Sequence, residues 1–406
     1  MRMILAEEAK QLSPTEKWDL LSPHLKQYGQ GSLAYATLQQ GMEYFVHPKG
    51  YLAFTTAVHP VFARKGKRIV LGDPVCAAAD TEEVIRDFVR LNPHCVFVVI
   101  SEQCATLVRT MGFKVNTVGY EPVLPVQSYN TQGNWKELDL IKRARNEAKR
   151  EGIVIREVDI ETVSPDALEE LSRRWLDGKT VNDREIWVYA RRPVYQPEPD
   201  VRKFAAFDKN GGLIGYAFYD PIYRDGRIIG YSANTVRCDE KKYGRLATAV
   251  HMAAMDVFRG EGVEEFNLLM CPFDKVEQGK YCDDWGTKFF FKTSVRYGNE
   301  IYNFKGLSFH KSKYRGQDKF VYFASNGKIP SNDVYLAFLT SDIADSYWVT
   351  MGRLLKGVVK ETFLKRKAPP KAEGKAKVTD ATAQAKPEGT VPQKSKPGPA
   401  ESAKLS

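Results

Sequence analysis

Strand signals followed by alternating helix and strand signals run through this chain twice, once on each side of Thr131-Gln132-Gly133-Asn134. In the first pass, strand-like runs at 42–46, 51–58 and 68–71 lead to an amphipathic helix at 82–91. A buried strand at 95–100, a helix at 104–111 and a strand at 114–126 follow, with Gly112 as the helix stop and Phe113 packing back. In the second pass, strands at 204–207, 213–219 and 227–236 precede a helix at 245–258 that Gly260 and Gly262 end. A strand at 265–270, a helix at 286–295 and strands at 300–304 and 320–324 complete it. The repetition lies in element order and not in residue identity. It predicts an α+β protein of two units, each a mixed sheet flanked by helices, although either half alone also suits an ordinary α+β domain. The units are read as 1–130 and 131–330, with a helical extension at 331–365 and a basic tail at 366–406.

Composition sets bounds on partners. A hydrophobic fraction of 43% supports real cores, and the formal charge is +10. Residues 366–406 hold nine Lys/Arg against four Asp/Glu, which is half of that excess. From Lys367 onward the chain carries no aromatic residue, and such a segment cannot bury enough apolar surface to offset its ordering entropy. A disordered spacer is the expectation there. The six cysteines form no CxxC pair and no ligand-like spacing with histidine, so a zinc site is not expected, and Cys95 and Cys104, in apolar runs, suit buried thiols in a cytoplasmic protein. Glu7, Glu8 and Lys10 interrupt the N-terminal apolar residues, which argues against a secretory signal. The strongest apolar run, 95–100, is far short of the ~20 residues that span a bilayer.

Several clusters can carry chemistry. A helix starts with capping-box spacing at Asn134-Trp135-Lys136-Glu137 and runs to Glu151, where Gly152 stops it. Its polar face is lopsidedly basic, with Lys142, Arg143, Arg145, Lys149 and Arg150 around Asn146. Ser164-Pro165-Asp166 opens another helix that closes on Trp175-Leu176-Asp177-Gly178-Lys179. Trp175 suits a core position or a platform, and Lys179 suits a phosphate or an aminoacyl ester. Tyr231-Ser232-Ala233-Asn234-Thr235-Val236-Arg237 lies on the strand before the second main helix, and Arg237 suits bidentate binding of phosphate or carboxylate. Tyr302, Lys305, Lys311, Lys313 and Tyr314 place bases beside aromatics, as RNA ends require. A helical pattern with Trp348, Met351, Leu355 and Phe363 among lysines suits docking on the protein body or on an anionic membrane.

These motifs resemble, in order, those of the DUF2156 family, the catalytic module of phosphatidylglycerol lysyltransferases. The resemblance covers roughly residues 52–324 and rests on the Gly72-Asp73-Pro74 turn, the basic helix, the Trp175–Lys179 run, the Arg237 strand and the segment 302–314. It implies tandem GNAT-like (acyl-CoA N-acyltransferase-like) units and transfer of an amino acid from aminoacyl-tRNA to a hydroxyl or amine. It implies Asn234, Arg237 and Lys311 as catalytic, and Arg143, Arg145, Asn146, Lys179, Tyr302, Lys305 and Lys313 as substrate-binding. The family carries Asp where this chain has Asn234, and an amide cannot accept a proton as a carboxylate does. The run Gly316-Gln317-Asp318-Lys319-Phe320 also replaces the family's tryptophan-containing stretch.

The expected partners are therefore aminoacyl-tRNA, a lipid such as phosphatidylglycerol and the inner face of the cell membrane, with neither cofactor nor metal nor DNA. A small-molecule or peptide acceptor competes with the lipid. Lys241-Lys242-Tyr243-Gly244-Arg245-Leu246-Ala247 has a single glycine where coenzyme A enzymes carry a pyrophosphate loop, which disfavours a CoA-dependent N-acyltransferase. A non-catalytic RNA- or membrane-binding protein is the remaining class.

Overall fold

The computed structural model describes residues 1–130, 139–178, 186–297 and 302–344, with 346, 349–350, 352–353, 355–356 and 359 beyond them. The first half comprises β1 (Arg2–Ile4), α1 (Ala6–Gln11), α2 (Pro14–Tyr28), β2 (Glu43–His47), β3 (Gly50–His59), β4 (Ala63–Leu71) and β5 (Val75–Cys76). It continues with α3 (Thr81–Leu91), β6 (Cys95–Ile100), α4 (Glu102–Thr110) and β7 (Lys114–Pro125). The second half comprises α5 (Asp139–Arg150), β8 (Val154–Glu157), α6 (Pro165–Asp177), β9 (Arg202–Phe207), β10 (Leu213–Arg224) and β11 (Arg227–Cys238). Then come α7 (Leu246–Gly260), β12 (Glu265–Asn267), β13 (Cys271–Pro272), α8 (Trp285–Tyr297), α9 (Phe304–Ser312), β14 (Gln317–Ser325) and α10 (Pro330–Thr340).

The strands form one mixed sheet in the order β1-β2-β3-β4-β6-β14-β7-β12-β11-β10-β9-β8. In each half an antiparallel meander meets a parallel strand: β4 pairs with β6 from Arg68↔Cys95, and β11 with β12 from Gly230↔Glu265. The halves exchange their last strands. β7 leaves the first half to pair with β12, and β14 returns from the second to lie between β6 and β7. The duplication that residue identity does not show reappears in the backbone. Val99 and Leu269 hold the same place after the start of their parallel strand, and both adopt positive φ, 58° and 61°. A side chain at positive φ costs energy, so the kink recurs because both halves need it.

Local signals explain most elements. Ser13 and Glu16 form a reciprocal capping box for α2, with Pro14 at its first position. Every residue of β6 is buried, as an apolar run in a parallel strand requires. The Ser164 side chain accepts the Ala167 N–H to start α6, and Gly152, at φ 66°, ends the turn after α5. The Asn134 cap lies outside the described residues, as do Lys179 and most of the 331–365 extension beyond α10.

Two expectations are corrected. The strand expected over 300–304 is absent in its described part, because the Asn303 side chain accepts the Gly306 N–H and starts α9. The strand expected to reach 270 stops at Asn267, whose Oδ1 accepts the Leu269 N–H at 2.7 Å and bends the chain away.

Candidate functional site

The bend after Asn267 opens the sheet. β11 pairs with β12 only over Gly230–Ser232, then continues to Cys238 against β10 alone. Lys311 of α9 closes the bend, its Nζ donating to the carbonyls of Leu269 and Met270 at 3.1 Å each. Burial lowers the Lys311 pKa, with Cys271 and Glu121 opposing.

A bulge on β11 decides which side chains meet. Phe218 pairs with Thr235 but Tyr219 with Ala233, so Asn234 is an extra residue in the ladder. Residues three apart on a regular strand face opposite ways. With the bulge, Asn234 and Arg237 face the same side, where α6 and the chain around Arg192 and Tyr195 line a cleft of about 590 Å³. Ser172 of α6 lines that cleft and accepts Arg237 Nε at 3.4 Å. Trp175 lies one turn further along α6, with the Arg237 guanidinium carbon 3.8 Å from its ring centroid. Tyr302 completes the group: burial raises its phenol pKa, and the Arg237 charge pulls it down. Trp175 is thus half-buried and acts as a platform for a cation.

Deeper, Asn234 is held at both ends. Its Oδ1 accepts the Arg191 N–H at 2.8 Å, and its Nδ2 donates to Asp220. Asp220 is fully buried, and burial pushes its carboxyl above the ordinary carboxylate value while Arg191 and Asn234 pull it down. Arg191 Nε lies 3.0 Å from Asp220, and Arg191 also donates to Glu198 at 2.6 Å. Burial alone lowers the Arg191 pKa, yet Asp220 and Glu198 outweigh it and the net direction is upward. Among the described residues Asp220 Oδ1 has no hydrogen-bond partner. Sequence reasoning missed Asp220 and Arg191. A lone Asp inside the apolar run Tyr219-Asp220-Pro221-Ile222 was the available signal.

A second polar group spans the two halves. Ser32 donates to Glu121 at 2.5 Å, Asn267 donates to Glu121 at 2.9 Å, and Ser232 donates to the Ser32 carbonyl at 2.9 Å. Behind β11, burial pushes His251 down to about 3, with the charges of His310 and Lys311 adding to the effect; its Nδ1 meets Tyr219 Oη at 3.0 Å.

Asn234, Arg237 and Tyr302 are therefore brought to one region, while Lys311 is spent on backbone carbonyls beside it. Lys305 is exposed and donates to the Arg296 carbonyl at 3.2 Å, and Lys313 is exposed over the Phe309 ring. On α5, Arg145 grips Asp256 of α7 through two contacts of 2.9 and 2.8 Å, so it docks the helix. Arg143 pairs with Asp139 at 2.9 Å, and Asn146 is exposed. Among the described residues, His47, Glu83 and Asp87 are spaced for a metal ion. His47 Nδ1 accepts the Lys49 N–H at 3.2 Å, which leaves the ring proton on Nε2 facing Asp87 at 3.4 Å, so the group is read as a hydrogen-bonded set.

Comparison with known proteins places the chain in a family. The family model described as phosphatidylglycerol lysyltransferase, C-terminal, matches residues 23–325. The structure of L-PGS from Bacillus licheniformis superposes with a TM-score of 0.65 at 18% identity, covering 80% of this chain and 96% of that one. A DUF2156 domain from Agrobacterium fabrum gives 0.63 at 18% identity, covering 80% and 97%. At these identities the structures establish a shared fold, a large mixed sheet flanked by helices. An uncharacterized Corynebacterium glutamicum protein is 21% identical over 294 residues, 70% of this chain and 35% of its own length, so the chain spans about a third of that relative. With the family model matched over most of the folded chain, this protein belongs to the DUF2156 family, the C-terminal module of phosphatidylglycerol lysyltransferases.

Proposed function

We propose that the protein transfers an amino acid from aminoacyl-tRNA to a hydroxyl or amine acceptor, first of all a phospholipid such as phosphatidylglycerol. The observation that carries this reading is Arg237, buried yet seated on the Trp175 ring at the edge of a cleft, beside Tyr302. A guanidinium held on an aromatic face at a cleft edge suits a phosphate or an ester oxygen that gains charge. In the step, the acceptor oxygen or nitrogen attacks the ester carbonyl, the bond to the terminal ribose breaks, and the acceptor proton ends on the released ribose hydroxyl. Arg237 stabilises the intermediate oxyanion. Asn234 orients the strand around it, since both ends of its amide are engaged and neither accepts a proton. The proton passes through the amine of the aminoacyl group. Exposed bases of α5, Lys149 among them, hold the RNA backbone.

Support comes from family membership and from the site geometry together. The test is incubation with labelled aminoacyl-tRNAs and phosphatidylglycerol vesicles: a labelled lipid should form only with intact aminoacyl-tRNA. Label moving to a water-soluble acceptor in cell extract, and never to lipid, would sink the lipid assignment while keeping the donor.

A further inference from the structure

We infer that the β3–β4 hairpin tip, far along the sheet from the cleft, docks the protein on an anionic lipid surface. Val58 and Val61 are 67% and 70% exposed there, and Ile329, just before α10, is 59% exposed. α10 rests against the hairpin, with Lys67 donating to Asp333 at 2.6 Å and Tyr335 edge-on to His59 and Phe62. Gly327 lies against the Lys67 ammonium, so Lys328 and Ile329 follow it near the base of the hairpin end. Arg64, Lys65 and Lys328 are exposed around these apolar side chains, and residues 44–72 contain no Asp or Glu.

The tip is built to hold its shape. Ala57 pairs with Lys67 but His59 with Ala63, a register break that leaves Val58 outside the ladder, opposite Arg64, Lys65 and Gly66. His59 Nδ1 accepts the N–H groups of Val61 and Phe62 at 3.2 Å each, and the His59 ring stacks on Phe62 at 4.8 Å. Arg64 donates back to the Pro60 carbonyl. Apolar side chains on a fixed turn lose little entropy on entering an interface, and surrounding cations are drawn to acidic headgroups.

Charge distinguishes this face from the exposed aromatic pair on α8. Trp285 and Phe289 stack on α8 at 5.4 Å, but Asp283 and Asp284 precede them and Glu277 sits on Lys288 and Lys292. Those carboxylates pair with Arg109, Lys114, Lys288 and Lys292, so charge is balanced there, whereas residues 44–72 around the hairpin tip carry bases and no carboxylate. Aliphatic side chains also give RNA bases nothing to stack on, which favours lipid over nucleic acid.

The inference is independent of the transfer reaction, because vesicle binding is read without turnover. Full-chain protein is sedimented with phosphatidylcholine vesicles with and without phosphatidylglycerol. Binding should require phosphatidylglycerol and weaken with salt. Val58→Asp/Val61→Asp and the milder Val58→Ser/Val61→Ser should each weaken it, the first by about tenfold or more, without shifting the thermal melt. Arg64→Glu/Lys65→Glu should do the same, while Trp285→Ala/Phe289→Ala should bind as wild type. Hairpin variants that bind like wild type, or loss of binding in the Trp285/Phe289 variant alone, would overturn the inference. So would an Arg64/Lys65 variant that loses tRNA binding and keeps vesicle binding.

Discussion

The guanidinium of Arg237 lies face-on to the indole of Trp175, its central carbon 3.8 Å from the ring centroid. Ser172, three residues before Trp175 on α6, accepts the Arg237 Nε–H at 3.4 Å. One helix face thus engages the cation through both a ring and a hydroxyl.

Arg237→Ala should lower aminoacyl transfer by about a hundredfold or more while the fold persists, because it removes the group facing the developing charge. Arg237→Lys should fail almost as badly, since an ammonium neither forks nor stacks as a guanidinium does. Trp175→Leu should leave the charge and loosen its placement, at about 1–2 kcal/mol. Steady-state kinetics on the three variants, beside their thermal melts, checks the order.

Arg191→Ala should destabilise the protein by about 3–5 kcal/mol, because Asp220 is left buried and uncompensated. Replacing Asp220 and Arg191 together by apolar residues should cost clearly less than Arg191→Ala alone. Urea titration of the single and double variants measures the difference.

His251 gives a pH dependence with a defined sign. Its folded pKa is pushed from 6.5 down to about 3, so the fold prefers the neutral ring. That preference is fully present above the unfolded value and is lost as pH falls toward the folded one, amounting to about 5 kcal/mol. His251→Gln keeps a partner for Tyr219 and cannot charge. Its stability should fall less between neutral pH and about pH 4 than that of wild type, as read from urea midpoints.

On α5, Arg145→Ala and Asp256→Ala should each cost only up to about 1 kcal/mol, the worth of an exposed pair, and a double-mutant cycle should show them coupled. Lys149→Ala should leave stability unchanged. If α5 holds RNA, that variant should reduce the salt dependence of tRNA binding by about one unit of slope, measured by filter binding across a salt series.

The strands and helices were largely legible because each carries its own period and stop. Residues 95–100 read as a buried strand and are one, and Gly112 and Gly152 stop helices as expected. What local patterns cannot carry is pairing between distant segments. Nothing in residues 114–126 says that they will leave their own half for β12, or that β14 will replace them beside β6. The bulge at Asn234 is equally silent: spacing alone puts Asn234 and Arg237 on opposite faces, and only the pairing with Phe218 and Tyr219 brings them together. Arg145 reads as substrate-binding and Lys311 as catalytic, yet their partners, Asp256 and the Leu269 and Met270 carbonyls, come from elsewhere in the chain. Asp220 was overlooked because its burial follows from the same long-range packing.

The central claim is transfer from aminoacyl-tRNA through Arg237. The most direct measurement follows label from a panel of aminoacyl-tRNAs, with phosphatidylglycerol vesicles or cell extract, for wild type and Arg237→Ala. The account predicts that one or a few aminoacyl-tRNAs are consumed and that a labelled product appears, with both signals falling together in the variant. It is contradicted if no aminoacyl-tRNA is deacylated faster with wild-type protein than without it.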